Sequence, residues 1–159
     1  MSLEKILIVG LGNPILGDDR VGWAVVEEVE KRIDITGVDF AYLSVGGIRL
    51  MEYLVGYDIV ILVDAILTKT GKPGAVYCFP LDELPDPTAG HTTSVHDTSL
   101  PTALEMGKLM DVHLPDEVQV IAIESKNVLD FTEQLTEDVE SSIPIAVEKV
   151  LEVLRGYLL

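Results

Sequence analysis

Lys5-Ile6-Leu7-Ile8-Val9-Gly10 is a short aliphatic run, mostly β-branched, that ends in glycine. Such a run, apolar at every position, predicts a strand buried on both faces of a parallel sheet. Residues 21–32 follow with Val21, Ala24, Val25 and Val29 on one side and Glu27, Glu28 and Lys31 on the other, which is a helical period. Strand, glycine-rich loop and helix therefore come in that order. The alternation repeats with a strand over 38–44, a short helix over 48–55 and another buried strand over 58–64, where Ile-Val-Ile-Leu-Val stands between Asp58 and Asp64. Three such units in succession predict a parallel sheet with right-handed crossovers.

Further along, Gly71, Pro73 and Gly74 mark a turn before a strand over 75–80, for which an antiparallel setting is open. Residues 81–98 are rich in Pro, Asp, Thr and Gly without an apolar period. A loop of that length in a compact domain is usually functional, and it is read as the active-site loop. A helix over 100–110 tolerates Pro101 in its first turn, with Thr98 or Ser99 as the cap. The last strand is expected over 118–123. From Thr136 onward Val139, Ile143, Val147, Val150, Leu151, Leu154 and Leu158 form one stripe, a terminal helix kinked or restarted at Pro144. The expected fold is a single α/β domain over 1–159, a three-layer α/β/α arrangement around a mostly parallel, twisted sheet of about five strands.

Composition narrows the partners. With 11 Lys and Arg against 27 Asp and Glu, the formal charge is −16, which disfavours nucleic acid and anionic membrane surfaces. Cys78 is the only cysteine, so neither an internal disulfide nor a multi-cysteine metal site is available, and a reducing, cytoplasmic setting is expected. Its apolar strand suggests a buried hydrophobe rather than a nucleophile. The run from Ile6 to Val9 is too short for a signal peptide's hydrophobic region, and no membrane span is expected.

Open parallel sheets bind ligands beyond the carboxyl ends of their strands, where strand order reverses. Asp18 and Asp19 follow the first strand, Asp64 ends the third, and His96 closes the long loop. If the first and third strands are neighbours, Asp19 and Asp64 face one another and the loop can deliver His96. Two carboxylates and an imidazole suit zinc, nickel or a similar divalent ion and leave a coordination position open. Taken singly, Asp18 or Asp19 can cap the helix at Val21, Asp64 can cap a turn, and His91 and His113 read as solvated. In Gly10-Leu11-Gly12-Asn13-Pro14 the third glycine of a dinucleotide fingerprint would fall at Ile15, and Pro14 disturbs the first helical turn, so that reading is weak. Gly10 and Gly12 permit a tight turn, and Asn13 can bond its own backbone.

The run from Gly10 through Asn13-Pro14-Ile15-Leu16-Gly17-Asp18-Asp19, followed by Val21-Gly22, resembles the opening motif of the hydrogenase maturation endopeptidases. Val63-Asp64-Ala65 and Ser94-Val95-His96-Asp97 are similar to that family's second and third ligand segments, and the likeness extends to the terminal helix. The resemblance implies a phosphorylase/hydrolase-like fold and a metal-dependent, aspartic-type endopeptidase. Its substrate would be the nickel-iron hydrogenase large-subunit precursor, which loses its carboxyl-terminal extension after nickel insertion. Asp19, Asp64 and His96 would be both the catalytic residues and the metal ligands. The nickel would arrive in the substrate's own metal centre, and zinc or cadmium are expected to occupy the same site. A cytoplasmic monomer is expected. Arg20, where many relatives have Gly, and Val45, where some have an acid before Gly46-Gly47, bear on which hydrogenase is processed. Two rivals share parts of the pattern: a peptidyl-tRNA hydrolase-like esterase, whose histidine and asparagine are missing after the glycine string, and a non-catalytic module that recognises a nickel centre.

Overall fold

Alternate side chains of each buried strand point to opposite faces, and here helices cover both. The computed structural model describes residues 3–83, 90–91 and 99–159. Its strands are β1 (Ile6–Leu11), β2 (Val38–Leu43), β3 (Ile59–Leu67), β4 (Val76–Pro80), β5 (Gly90–His91) and β6 (Glu117–Glu124). The helices are α1 (Val21–Arg32), α2 (Gly47–Leu54), α3 (Leu100–Leu109) and α4 (Glu137–Leu158), and a 3-10 turn, Gly17–Arg20, leads into α1. The main path through the sheet is β2-β1-β3-β6-β4. The first four are mutually parallel, and β4 closes one edge antiparallel to β6.

Ile6 and Ile8, Ile59, Ile61 and Val63, and Ile121 and Ile123 meet Val21, Val25 and Val29 of α1 and Val139, Val147 and Val150 of α4. On the reverse face Leu7, Val9, Val60, Leu62, Val118 and Val120 meet Leu50 and Leu54 of α2 and Leu100 and Leu104 of α3. Each such side chain, once fully buried, contributes roughly 1.5–3 kcal/mol. The three-layer α/β/α arrangement and mostly parallel sheet expected from the sequence are the ones observed.

Three details differ. First, α4 is one continuous helix through Pro144 and does not restart there. Proline deprives the carbonyl of Glu140 of its partner, but Glu140 and Pro144 both face solvent, so water can serve that oxygen while the buried stripe continues. Second, β3 runs three residues beyond Asp64, because β6 pairs with it as far as Ile66 and Gly90–His91 pairs antiparallel with Leu67 and Ile66. That short pairing within the long loop needs only backbone donors and acceptors, so it leaves no apolar signature. Third, Cys78 is exposed and not buried, on a strand that among the described residues pairs only with β6. The Ser99 hydroxyl does cap α3, accepting from the Thr102 N–H at 3.4 Å.

Candidate active site

The sheet's connectivity creates a crevice. From β1 the chain turns to β2 on one side, then returns to β3 on the other, so strand order reverses between β1 and β3. β1 pairs with β3 from Ile6↔Ile59 to Gly10↔Val63 and then diverges, and β5 reaches β3 only at Ile66. Asp64 and Ala65 border the gap between them. Asp64 is 2% exposed, on the strand face shared with Val60, Leu62 and Ile66.

The loop leaving β1 carries the turn that holds Asp19 against β3. Gly12 adopts φ 138°, which L side chains resist, and its N–H donates to the Leu43 carbonyl at 3.0 Å while the Ser44 hydroxyl donates to its own carbonyl at 2.7 Å. Asn13 Oδ1 accepts from the Ile15 N–H at 3.2 Å, the self-bonding expected of it. The Gly17–Arg20 turn then folds back, so that Asp19 Oδ2 accepts from the Asn13 N–H at 2.8 Å. Gly22 brings α1 down onto the strand ends: a Cβ there would collide with the Val63 carbonyl and come within 2.5 Å of the Leu11 carbonyl oxygen. Asp19 lies three residues before this contact, in a turn packed against β3, and is itself 2% exposed. Two carboxylates are thus buried at this end of the sheet, Asp64 on β3 and Asp19 in a turn packed against β3.

Asp18 has another task. It is fully buried, and its carboxylate accepts from the N–H groups of Lys126 (3.0 Å), Asn127 (2.9 Å) and Thr136 (2.7 Å), with the Thr136 hydroxyl adding a further bond at 2.8 Å. The residue in the cap position of α1 is Arg20, not Asp18 or Asp19, and its side chain makes no cap bond. The cap reading is therefore replaced by a clamp between the β1 loop and the segment joining β6 to α4. Glu124, which sequence reasoning passed over, is a further buried carboxylate, at the end of β6. It accepts from the Thr68 N–H at 2.8 Å, from the Thr68 hydroxyl and from the Tyr77 hydroxyl at 3.2 Å, and so holds the β3–β4 turn. Burial, then the Glu124 charge, pushes the Tyr77 phenol up. Only a lone acid at a strand end hinted at it.

His96 lies outside the described residues, as do the neighbouring positions 92–98. The backbone of His91, five positions earlier, is tied to Ile66, two residues past Asp64. Among the described residues no group of three His, Cys, Asp or Glu side chains could hold a metal ion. Two hard carboxylate donors in a buried crevice nevertheless fit a divalent ion that draws its remaining ligands from elsewhere, because a cation offsets the repulsion between acids confined at low dielectric. His113 is not simply solvated, since its Nε2 lies 3.0 Å from Asp58 Oδ1. The Lys5 N–H and then His113 hold the Asp58 carboxyl below the usual range. Partial desolvation pushes the Cys78 thiol up, which leaves little thiolate near neutral pH. Arg20 reaches along α1 toward Glu27 at 3.9 Å, and half-buried Val45 packs beneath α2.

The fold agrees with comparisons to known proteins. A family model described as hydrogenase maturation protease matches residues 23–153. The hydrogenase 2 maturation protease of Escherichia coli K12 is 29% identical over 95% of this chain and 91% of its own length. The hydrogenase expression/formation protein HupD of Rhizobium leguminosarum is 28% identical over 96% of this chain and 75% of its own. The solved structure of the E. coli hydrogenase maturating endopeptidase HybD superposes with a TM-score of 0.76, at 26% identity over 96% of this chain and 93% of that one. The family match displaces the peptidyl-tRNA hydrolase alternative. The chain belongs to the hydrogenase maturation protease family, and with it to the hydrolases of peptide bonds.

Proposed function

We propose that the chain removes the carboxyl-terminal extension from the precursor of a nickel-iron hydrogenase large subunit after nickel insertion, acting as a monomer in the cytoplasm. The observation that carries this reading is the pair of buried carboxylates, Asp19 and Asp64, at the switch crevice of a chain from this family. With His96 they would supply three protein ligands to the nickel carried by the substrate, with zinc or cadmium as stand-ins. Such an ion polarises a scissile carbonyl or activates water when bound. The chain's own part is positioning. The Asn13 N–H orients Asp19, the β3 ladder fixes Asp64, and burial keeps bulk water from both. Substrate without nickel lacks the cation that these acids attract, so cleavage would report a filled metal centre.

The test is to incubate the chain with nickel-loaded and nickel-free precursor and weigh the products. Loss of the tail from the loaded precursor alone, abolished by Asp19→Asn, Asp64→Asn or His96→Ala with folding largely kept, is expected. If the loaded precursor binds but keeps its mass where a related protease cuts it, the chain is a recognition module instead.

A further inference from the structure

The segment between β6 and α4 exposes two large apolar side chains, Leu129 (83%) and Phe131 (85%), and beside them stands Ile15 (47%). Water gains nothing from a phenyl ring held outward, and an exposed aliphatic and aromatic group beside a site usually marks an interaction surface. The segment is also well anchored. Asn127 Oδ1 accepts from the Leu129 and Asp130 N–H groups at 3.4 and 3.3 Å. Thr132 exchanges backbone bonds with the β1 loop, donating to the Ile15 carbonyl at 2.9 Å and accepting from Gly17 at 2.8 Å. The Asp18 clamp ties Lys126, Asn127 and Thr136 to the residue next to Asp19. A patch fixed in this way loses little conformational entropy on binding, which favours affinity.

We infer that Leu129, Phe131 and Ile15 form the surface on which the precursor docks while its tail enters the Asp19–Asp64 crevice, a deepening that rests on the function proposed above. Continuity is the first argument, because the patch shares the loop that presents Asp19. Charge is the second. Asp130 and Glu133 flank the two apolar side chains on a chain of net charge −16, so a second copy of this chain would bring like charges together. The fitting occupant is a protein surface with an apolar pocket rimmed by Lys or Arg.

The experiment compares the wild type, the Leu129→Ser/Phe131→Ser double variant and Leu109→Ser. Leu109 is an equally exposed residue (88%) at the far end of α3 and serves as the control. Each is assayed for binding to, and cleavage of, the nickel-loaded precursor over a range of concentrations. The double variant is expected to lose at least tenfold in kcat/KM through a raised KM, to bind correspondingly weakly and to melt at the wild-type temperature, with Leu109→Ser unchanged. Unchanged KM and affinity in the double variant would overturn the docking surface while leaving the protease reading intact. Binding that depends on the patch without any cleavage would sink the protease reading and keep the surface, whereas no binding by the wild type would sink both. A wild-type dimer that the double variant dissolves would show that a second copy occupies the patch and would overturn the inference.

Discussion

Asp18 receives three backbone N–H groups from residues more than a hundred positions away, so its replacement by Ala would strand those donors in a buried setting. Removing the acceptor is expected to cost about 3 kcal/mol, read as a lower urea midpoint at unchanged slope. Its neighbour Asp19 accepts from the Asn13 N–H, on the side of the β1 loop. The sequence presents the two as equals, Asp18-Asp19, and nothing in spacing separates clamp from candidate ligand. Only the folded chain brings Lys126, Asn127 and Thr136 to the first and the end of β3 near the second. Cys78 makes a related point. An apolar strand reads as buried, but among the described residues β4 pairs only with β6, and the thiol is open. Iodoacetamide is therefore expected to label Cys78 slowly, given its raised pKa, and to leave precursor cleavage intact. Loss of cleavage on labelling with the fold preserved would contradict this.

Gly22 decides how closely α1 approaches the sheet. Gly22→Ala would drive a methyl into the Val63 and Leu11 carbonyls, backbone atoms that cannot swing aside, and is expected to destabilise by about 3 kcal/mol and to displace the Asp19 turn. Thermal melting, with cleavage rate as the second readout, checks both effects. Elements of this kind were readable in advance where periodicity is strong: α1 spans residues 21–32 as expected, and β2, β4 and β6 differ by a residue or two at their ends. What was hidden depends on partners distant in sequence. The extension of β3 to Leu67 is set by β6 and β5, and the passage of α4 through Pro144 is set by which of its sides meets the core. The close approach at Gly22 was equally hidden, since a single glycine within a helical pattern does not reveal the strand ends beneath it.

The molecule as a whole is acidic, and Tyr57 and Tyr157 are coupled to that charge. Burial, then the hydrogen bond to Asp39, pushes the Tyr57 phenol up to about 12. Burial, then the bond to Glu117, does the same for Tyr157, also to about 12. A pKa raised on folding gives stability that is whole below the unfolded value near 10 and declines as pH rises through 12. The wild type should thus lose urea resistance between pH 10 and 12 more steeply than Tyr57→Phe, and equal slopes would refute the coupling. The βα alternation pointed to a parallel sheet but left open whether β1 and β3 are neighbours, and their pairing, which reverses the strand order between them, meets that condition. His96 stands apart because it lies outside the described residues, so its union with Asp19 and Asp64 rests on the family resemblance and on the loop's return to β3 at His91. Anomalous diffraction from crystals soaked in nickel, zinc or cadmium addresses that union directly. The account predicts one ion within coordination distance of the Asp19 and Asp64 carboxylates and a His96 ring nitrogen. An ion bound elsewhere, or a crevice in which Asp19 and Asp64 hold no ion in common, would contradict it.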